Sequence, residues 1–549
     1  MGRGVGPGRM HTMAPMNSAP AVRARLLGRA EDDFRGVPRR ARLGAALTLG
    51  WLGPLFFTIV GGVMRFWHVG APHQLIFDET YYVKQGWSLV LFGYEMKVDP
   101  VLEQAKQVDQ HFTANDPFVW GTEGDFVVHP PVGKWLIGLG EIPFGILNSL
   151  GWRFAVALAG TLSIFMLGLI ARRMFRSDLL GAVAAALLAF EGHHFVHSRT
   201  GLLDIFVMFF GLAAFGALLA DRDQARNVLA ARVAGVSRAA LSRFGPWLGW
   251  RPWRWLAGVM LGLGAGVKWS GLYFIVFFGL LTVLWDLGAR RAAGVRRWVV
   301  GGLLKDGPFA FVQLVGTALV TYVASWSGWI LTRGGSFRDW AETRPSGGLG
   351  GLLPDWWRSL WAYHQQMFES SASINSPHPY QTSPWSWLVQ GRPTSFFYEG
   401  PVKGTDGCVV DQCSKAITSI GTVSVWWGGT LAIFVLLFMW ALRRDWRAGA
   451  VLSGLAAGYL PWFLLADRTI YSFYEVAFVP YVVLACVYVL GLLIGGHGAS
   501  VGRRRLGLAA TGVFVLLTIG LFAFFHPIYV ADVIPQSEWS QRMWFPSWV

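Results

Sequence analysis

The sequence predicts an all-α polytopic membrane protein with about eleven transmembrane helices. Three observations carry that prediction. Hydrophobic residues make up 53% of the 549-residue chain and charged residues 14%, and the mean hydropathy is positive, a balance foreign to soluble globular proteins. Apolar runs of spanning or near-spanning length recur from one end of the chain to the other. The compact arginine clusters all fall in alternate connecting segments, as the positive-inside rule requires of a correct topology.

The first run, Leu43 to Phe66, follows a basic tail with Arg23, Arg25, Arg29, Arg39, Arg40 and Arg42. That tail is too long, and the run after it too ready to span, for a cleaved secretory signal. Residues 1–42 are expected to be cytoplasmic and disordered. The second run, Phe154 to Ile170, ends in "ARRMFRSD" before the third, Leu179 to Phe195, begins. The fourth, Leu202 to Ala220, leads into a basic loop, Asp221 to Arg254, with Arg222, Arg226, Arg232, Arg238 and Arg243. Trp253 to Val267 and Ser270 to Leu287 come next, then "ARRAAGVRRW" and the seventh run, Pro308 to Leu331. The last four are Ile420 to Leu442, Ala448 to Ala466, Phe473 to Ile494 and Leu506 to Phe525, with "RRDWR" and "GRRRL" in the inner loops between them.

One further stretch, His129 to Trp152, is apolar enough to tempt a twelfth assignment. Counting it as a span would put Arg172, Arg173 and Arg176 outside, so it is expected to be an interfacial helix on the outer surface. The membrane domain then runs over residues 43–526, with two large outer segments, 67–153 and 332–419, and an outer tail, 527–549. A net charge of +15 would suggest nucleic acid as partner of a soluble protein; here the inner loops account for it, which removes nucleic acid as a partner. The 29 tryptophans and 39 phenylalanines fit membrane interfaces and apolar clefts.

Polar groups gather at the outer mouths of these spans. Asp78 and Glu79 follow the first span, His129 and Lys134 lie in the interfacial stretch, and Arg153 opens the second span. The short loop "FEGHHFVHSRTGLLD" adds Arg199 and Asp204, and "ADRTIYSFYE" adds Arg468. Ionisable groups near hydrocarbon are costly and functional by default, so a cavity opening outward is expected. With carboxylates on one wall and Arg, Lys and His on another, such a cavity suits a phosphate whose lipid tail stays in the bilayer. A phosphodiester leaves with its charge held by cations and needs no general acid, whereas the attacking hydroxyl needs a base that one carboxylate can supply. For a single displacement with inversion, base and leaving group stand on opposite faces of the sugar.

Other readings of the same residues stay open at this point. Adjacent carboxylates can ligate a divalent cation, and Asp78 and Glu79 can be a solvated loop face. His193, His194 and His197 have spacing suited to a metal, though interfacial histidines without metal are the commoner case. Lys268 either snorkels to the outer interface or joins the phosphate site. Cys408 and Cys413 share an outer segment where an oxidising compartment permits a disulfide. A flippase would show two related halves, which this chain lacks, and a scaffold would not need charges at so many outer mouths.

"FDETYY", "HPPVGKWLIGLGE", "HSRTGLLDIFVMF", "GVKWSGLYF" and "HPYQTSPWSWLVQGRP" occur in an order that resembles the protein O-mannosyltransferases, specifically their actinobacterial branch. The resemblance runs from about Leu43 to the end. It implies a fold like the class C glycosyltransferases and transfer of mannose from polyprenyl-phosphate mannose to Ser or Thr of secreted or membrane proteins. It also implies a place in the cell membrane and coupling to the secretion translocon. On the family pattern Asp78 is the catalytic base and Glu79 assists it, while His129, Lys134, Arg153, Arg199, Asp204 and Arg468 fall on donor-phosphate or sugar positions, with no metal among them. Eukaryotic members carry a β-trefoil domain in the large outer loop; the 88 residues from Thr332 to Ser419 are too few for one. The neighbouring alternative is the same architecture acting on a glycolipid or glycan acceptor.

Overall fold

Each of the eleven apolar runs carries helix, and the breaks within them have local causes. The computed structural model describes residues 25–26 and 49–549, except 115, 117–118, 235, 237–242, 345–346 and 497. The expected cytoplasmic tail and the first residues of the first span lie outside the described residues, apart from Arg25 and Leu26.

The helices that correspond to the runs are α1 (Leu52–Phe66), α4 (Ser149–Phe175), α5 (Asp178–Ala189), α7 (Asp204–Val233), α8 (Pro252–Val267), α9 (Gly271–Ala292), α10 (Thr317–Ser325), α12 (Val423–Ala441), α13 (Trp446–Tyr459), α14 (Val479–Ile494) and α15 (Val501–Phe525). Among the described residues, seven helical stretches are long and apolar enough to cross a membrane, and α1, α5 and α14 are shorter apolar helices. The protein is thus a multi-pass helical membrane protein, and residues such as Phe56, Leu280, Phe434 and Leu516 point outward as lipid-facing side chains do.

Two of the boundary differences have causes visible in the packing. Helix α7 continues thirteen residues past Ala220 to Val233, because Leu229, Ala230 and Val233 pack with Leu248 and Ala289 in a small apolar cluster of their own. The third run stops at Ala189, where Glu191 turns back to accept hydrogen bonds from the amides of His193 (3.2 Å) and His194 (2.7 Å) and so caps the short helix α6 (Gly192–His197).

The inner ends of α7, α8 and α9 are joined by buried charges. Arg251 Nε donates to Asp221 at 2.6 Å, and Arg254 Nη2 reaches Asp221 at 3.2 Å and Asp286 at 2.7 Å. Two cations and two anions therefore neutralise one another where unpaired charges would be costly.

The first outer segment holds α2 (Glu79–Phe92), an antiparallel hairpin of β1 (Met96–Val98) and β2 (Trp120–Gly124), and α3 (Val132–Phe144). Helices α2 and α3 approach so closely that a Cβ on Gly138 would lie 2.6 Å from the carbonyl oxygen of Gly86. The expected interfacial helix ends at Gly145, where φ is +76°, and Asn148 caps α4 by accepting from the Leu150 amide. In the second outer segment α11 (Asp355–Ala372) precedes β3 (Thr394–Glu399) and β4 (Cys413–Ser419), and β5 (Val533–Pro535) of the C-terminal tail joins them in an antiparallel sheet of order β3, β4, β5. These small sheets are an addition to the all-α expectation. A disulfide between Cys408 and Cys413 closes the tip of the β3–β4 hairpin.

Candidate active site

Asp78 and Glu79 stand side by side at the start of α2, yet they face different surroundings, because consecutive helical residues are set roughly 100° apart. Glu79 is fully buried. Arg153 Nε donates to its Oε1 and Arg153 Nη2 to its Oε2, each at 2.8 Å, and the amides of Ile76 (3.0 Å) and Gly201 (2.6 Å) complete its bonding. The remaining Arg153 donors go to the carbonyls of Val69, Pro72 and Gln74, each at 3.1 Å. Every one of these bonds fixes the turn that presents Asp78.

Asp78 itself is half-buried and, among the described residues, forms no ion pair. Tyr82, one helical turn on, donates its hydroxyl to Asp78 Oδ2 at 3.4 Å. Burial pushes the Asp78 carboxyl above the usual carboxylate range; Lys268 draws it back, Asp204 raises it, and the Tyr82 hydroxyl lowers it. A carboxylate without an ion pair and raised in basicity is what a general base requires.

The facing wall comes from the break between α8 and α9. Lys268 leaves α8 in extended conformation, with φ −146° and ψ 148°, and its Nζ donates to Asp204 Oδ2 at 2.7 Å. The ammonium lies 6.0 Å from the ring centre of Tyr82, 5.9 Å from Phe473 and 5.4 Å from Tyr474, so aromatic faces shield it on three sides. Of the two readings of Lys268, the geometry matches the cleft. His129 packs against Tyr82 with ring centres 6.0 Å apart. Burial, with Lys268, Lys134 and Arg468 around it, drives the His129 imidazole well below its ordinary value and keeps it neutral at pH 7. The half-buried Arg468 has an Nε without a hydrogen-bond partner among the described residues, and its charge acts on His129 and Tyr474.

The structure therefore brings together Asp78, His129, Asp204 and Arg468 of the residues read from the sequence. Three others are directed elsewhere. Lys134 pairs with Glu95 and donates to the carbonyl of His129 at 2.8 Å, so it holds the backbone that carries His129. Arg153 is spent on Glu79 and the 69–74 turn. Arg199 caps the outer end of α1 by donating to the carbonyls of Met64 (3.1 Å), Arg65 (2.9 Å), Trp67 (2.6 Å) and His68 (3.0 Å). All three were expected at the donor phosphate or sugar from the family resemblance, and buried carboxylates and backbone carbonyls are an equally good use of the same donors.

The divalent-cation alternative loses its second ligand, since both Glu79 oxygens are already held. Among the described residues no group of three His, Cys, Asp or Glu is arranged to hold a metal. His194 bridges Arg65 and Ser163 at 2.7 Å each, and His193 meets Ser419 at 2.7 Å and Glu475 at 3.2 Å. Glu141, within the stretch read as an interfacial helix, is fully buried with neither oxygen hydrogen-bonded among the described residues, and burial raises its carboxyl well above the ordinary value. Tyr82 and Tyr474 were missed as cleft residues; the spacing of Asp78 and Tyr82, four apart on a helix, was the available signal for Tyr82.

Beside Lys268 opens an apolar groove of about 610 Å³, walled by Trp269, Leu272, Ile275, Leu319, Trp361 and Phe368. The Trp269 indole donates to Tyr322 at 3.1 Å, and Tyr322 meets His364 at 2.6 Å, so the polar atoms of this wall are turned onto one another. Asp78, Lys268 and Arg468 thus stand near an apolar groove whose wall begins at Trp269, one residue on from Lys268.

Residues 55–300 match the family described as dolichyl-phosphate-mannose-protein mannosyltransferase, and residues 356–548 match the C-terminal four-transmembrane region of protein O-mannosyltransferase. The polyprenol-phosphate-mannose–protein mannosyltransferase of Mycolicibacterium smegmatis (strain MKD8) is 37% identical, with 91% of this chain and 93% of that protein covered. The protein of the same name from Corynebacterium glutamicum is 35% identical over 96% of this chain and 99% of its own. Among solved structures, the Saccharomyces cerevisiae Pmt1-Pmt2 complex bound to the sugar donor superposes with a TM-score of 0.67 at 14% identity, covering 94% of this chain and 95% of that one, a likeness of fold.

Proposed function

Since this chain belongs to the protein O-mannosyltransferase family, we propose that it transfers mannose from polyprenyl-phosphate mannose to Ser or Thr hydroxyls of secreted or membrane proteins. The observation that carries the reading is the division of labour in the carboxylate pair: Glu79 is committed to Arg153 while Asp78 faces the cleft without an ion pair among the described residues.

In the reaction, the acceptor oxygen attacks C1 of mannose and its proton passes to Asp78. The bond from C1 to the phosphate oxygen breaks, and the electron pair leaves with the polyprenyl phosphate. Lys268 and Arg468 stabilise the charge that gathers on the leaving phosphate, and neutral His129 is available as a hydrogen-bond donor. Asp204 holds Lys268 in place, and the groove at Trp269 accepts the first isoprenoid units. Attack from the Asp78 side and departure on the cation side invert the configuration at C1.

The protein is placed in the cell membrane, with the N-terminus cytoplasmic and the cleft outside, where acceptors emerge from the secretion translocon. The reading is tested with membranes holding wild-type or Asp78→Asn protein, radiolabelled polyprenyl-phosphate mannose and a peptide rich in Ser, Thr and Pro. Label on the peptide with wild type alone supports it. Label entering lipid instead selects a glycolipid acceptor, and no transfer from this donor overturns the reading.

A further inference from the structure

The lipid groove is not the largest cavity near Asp78. A polar cleft of about 940 Å³ lies on the aqueous side of α2, walled by that helix, the β1–β2 hairpin and the short helices Pro100–Gln104 and Val108–Thr113. Its volume is at the upper end of the roughly 300–1,000 Å³ of ligand sites. Its charges are of both signs: Lys84 pairs with Asp109 and Lys97 with Glu123, while Asp99, Glu103, Lys106 and Asp125 also line it, so carboxylates outnumber cations. Met96, Val98, Val108 and Trp120 add apolar surface between the charges, and a polyanion would find no net positive field. A polypeptide, with its mixed charges and backbone amides, finds partners throughout.

The cleft shares a helix face with the base. At about 100° per residue, Asp78, Tyr81, Tyr82 and Gln85 lie within one stripe of roughly 100° on α2. Tyr81 and Gln85 line the cleft, and Tyr81 is 59% exposed, an aromatic surface with nothing covering it. The same cluster is flanked on its other side by Trp269 and the hydrocarbon groove. The cleft and the apolar groove share no lining residue, so donor and acceptor have separate approaches.

We infer that this cleft is the acceptor-polypeptide subsite, holding in extended form the segment beside the Ser or Thr that is modified; the inference rests on the transferase reading given above. From Asp78 to Gln85 the helix advances about 10 Å, so the residues held there are about three positions from the acceptor hydroxyl. Tyr81 supplies a stacking face for one of them, and the surplus of carboxylates on the walls favours neutral or basic sequences.

The test uses the full-length protein with two variants, Tyr81→Ala, which removes the aromatic face, and Thr122→Trp, which fills the cleft from exposed β2. Two acceptors are compared: a peptide of ten or so residues with one central Thr, and blocked single threonine, too short to enter the cleft. For both variants KM for the peptide should rise about tenfold, with KM for polyprenyl-phosphate mannose and the rate on blocked threonine unchanged. A photoreactive benzoylphenylalanine at position 122 should crosslink to the peptide. An unchanged peptide KM without crosslinking overturns the cleft assignment while leaving the transferase reading intact. Equal slowing on both acceptors overturns it too, since the substitutions would then act through the site's structure. If wild type labels neither acceptor, the function falls and the subsite with it.

Discussion

Glu79 and Arg153 are joined by two hydrogen bonds of 2.8 Å, and both side chains are fully buried. This pair, rather than anything in the cleft itself, holds the turn from which Asp78 projects. Glu79→Ala would leave a guanidinium buried without its counter-charge, at a cost of about 3–5 kcal/mol. The variant should reach membranes at reduced level and unfold at lower temperature in detergent. Wild-type abundance and melting would contradict the structural role.

Asp78→Asn keeps the shape of the side chain and removes its basicity. Transfer should fall by about 10²–10⁴-fold, with membrane level, melting temperature and donor affinity near wild type. Measured together, these separate a base from a packing residue, and substantial residual activity would assign the base elsewhere.

Because burial raises the Asp78 carboxyl, the acid limb of the rate should lie above the ordinary aspartate value of about 3.9. The sign follows from the role: the base works only when deprotonated, so kcat/KM falls as pH drops through the raised value. A pH profile of initial rates measures this, and a limb at or below the ordinary value would mean that Asp78 is not raised or not the base.

Arg468 carries a half-buried guanidinium beside His129 and Tyr474. Arg468→Ala should weaken use of the lipid donor about tenfold or more, the worth of a charge-assisted hydrogen bond of about 1.5–3 kcal/mol. Acceptor KM should move far less. Equal changes in both would indicate a structural residue instead.

Glu141 is buried with no partner for either oxygen among the described residues, and its carboxyl is held well above the ordinary value. In the folded protein it keeps its proton to higher pH than in the unfolded chain, so folding is favoured below the unfolded value and loses about 1.4 kcal/mol per pH unit as pH rises toward the folded value. Glu141→Met should therefore melt higher than wild type near pH 8, and the difference should shrink toward pH 4. A gap that does not change with pH would refute the assignment.

The spans were legible because bilayer hydrocarbon leaves its mark on composition. The small sheet was not: β4 pairs with β5 across more than a hundred intervening residues, and no local pattern announces such a partner. Within the site, the sequence placed Asp78 and Glu79 together but could not separate a side chain facing the cleft from one facing Arg153, a matter of one helical step. Lys134, Arg153 and Arg199 were misdirected for a similar reason. An arginine that holds a phosphate and one that caps carbonyl oxygens look alike until the backbone is traced.

The buried charges Asp221, Arg251, Arg254 and Asp286 fasten α7, α8 and α9 at their inner ends. Mechanically, they form a pivot. Helix α8, 16 residues and about 24 Å long, is a lever with that pivot at one end and Lys268 at the other. One degree of tilt at the base displaces Lys268 by about 0.4 Å at the outer end. A change of angle at the pivot would therefore alter the gap between Lys268 and Asp78 from a helix length away, without local rearrangement.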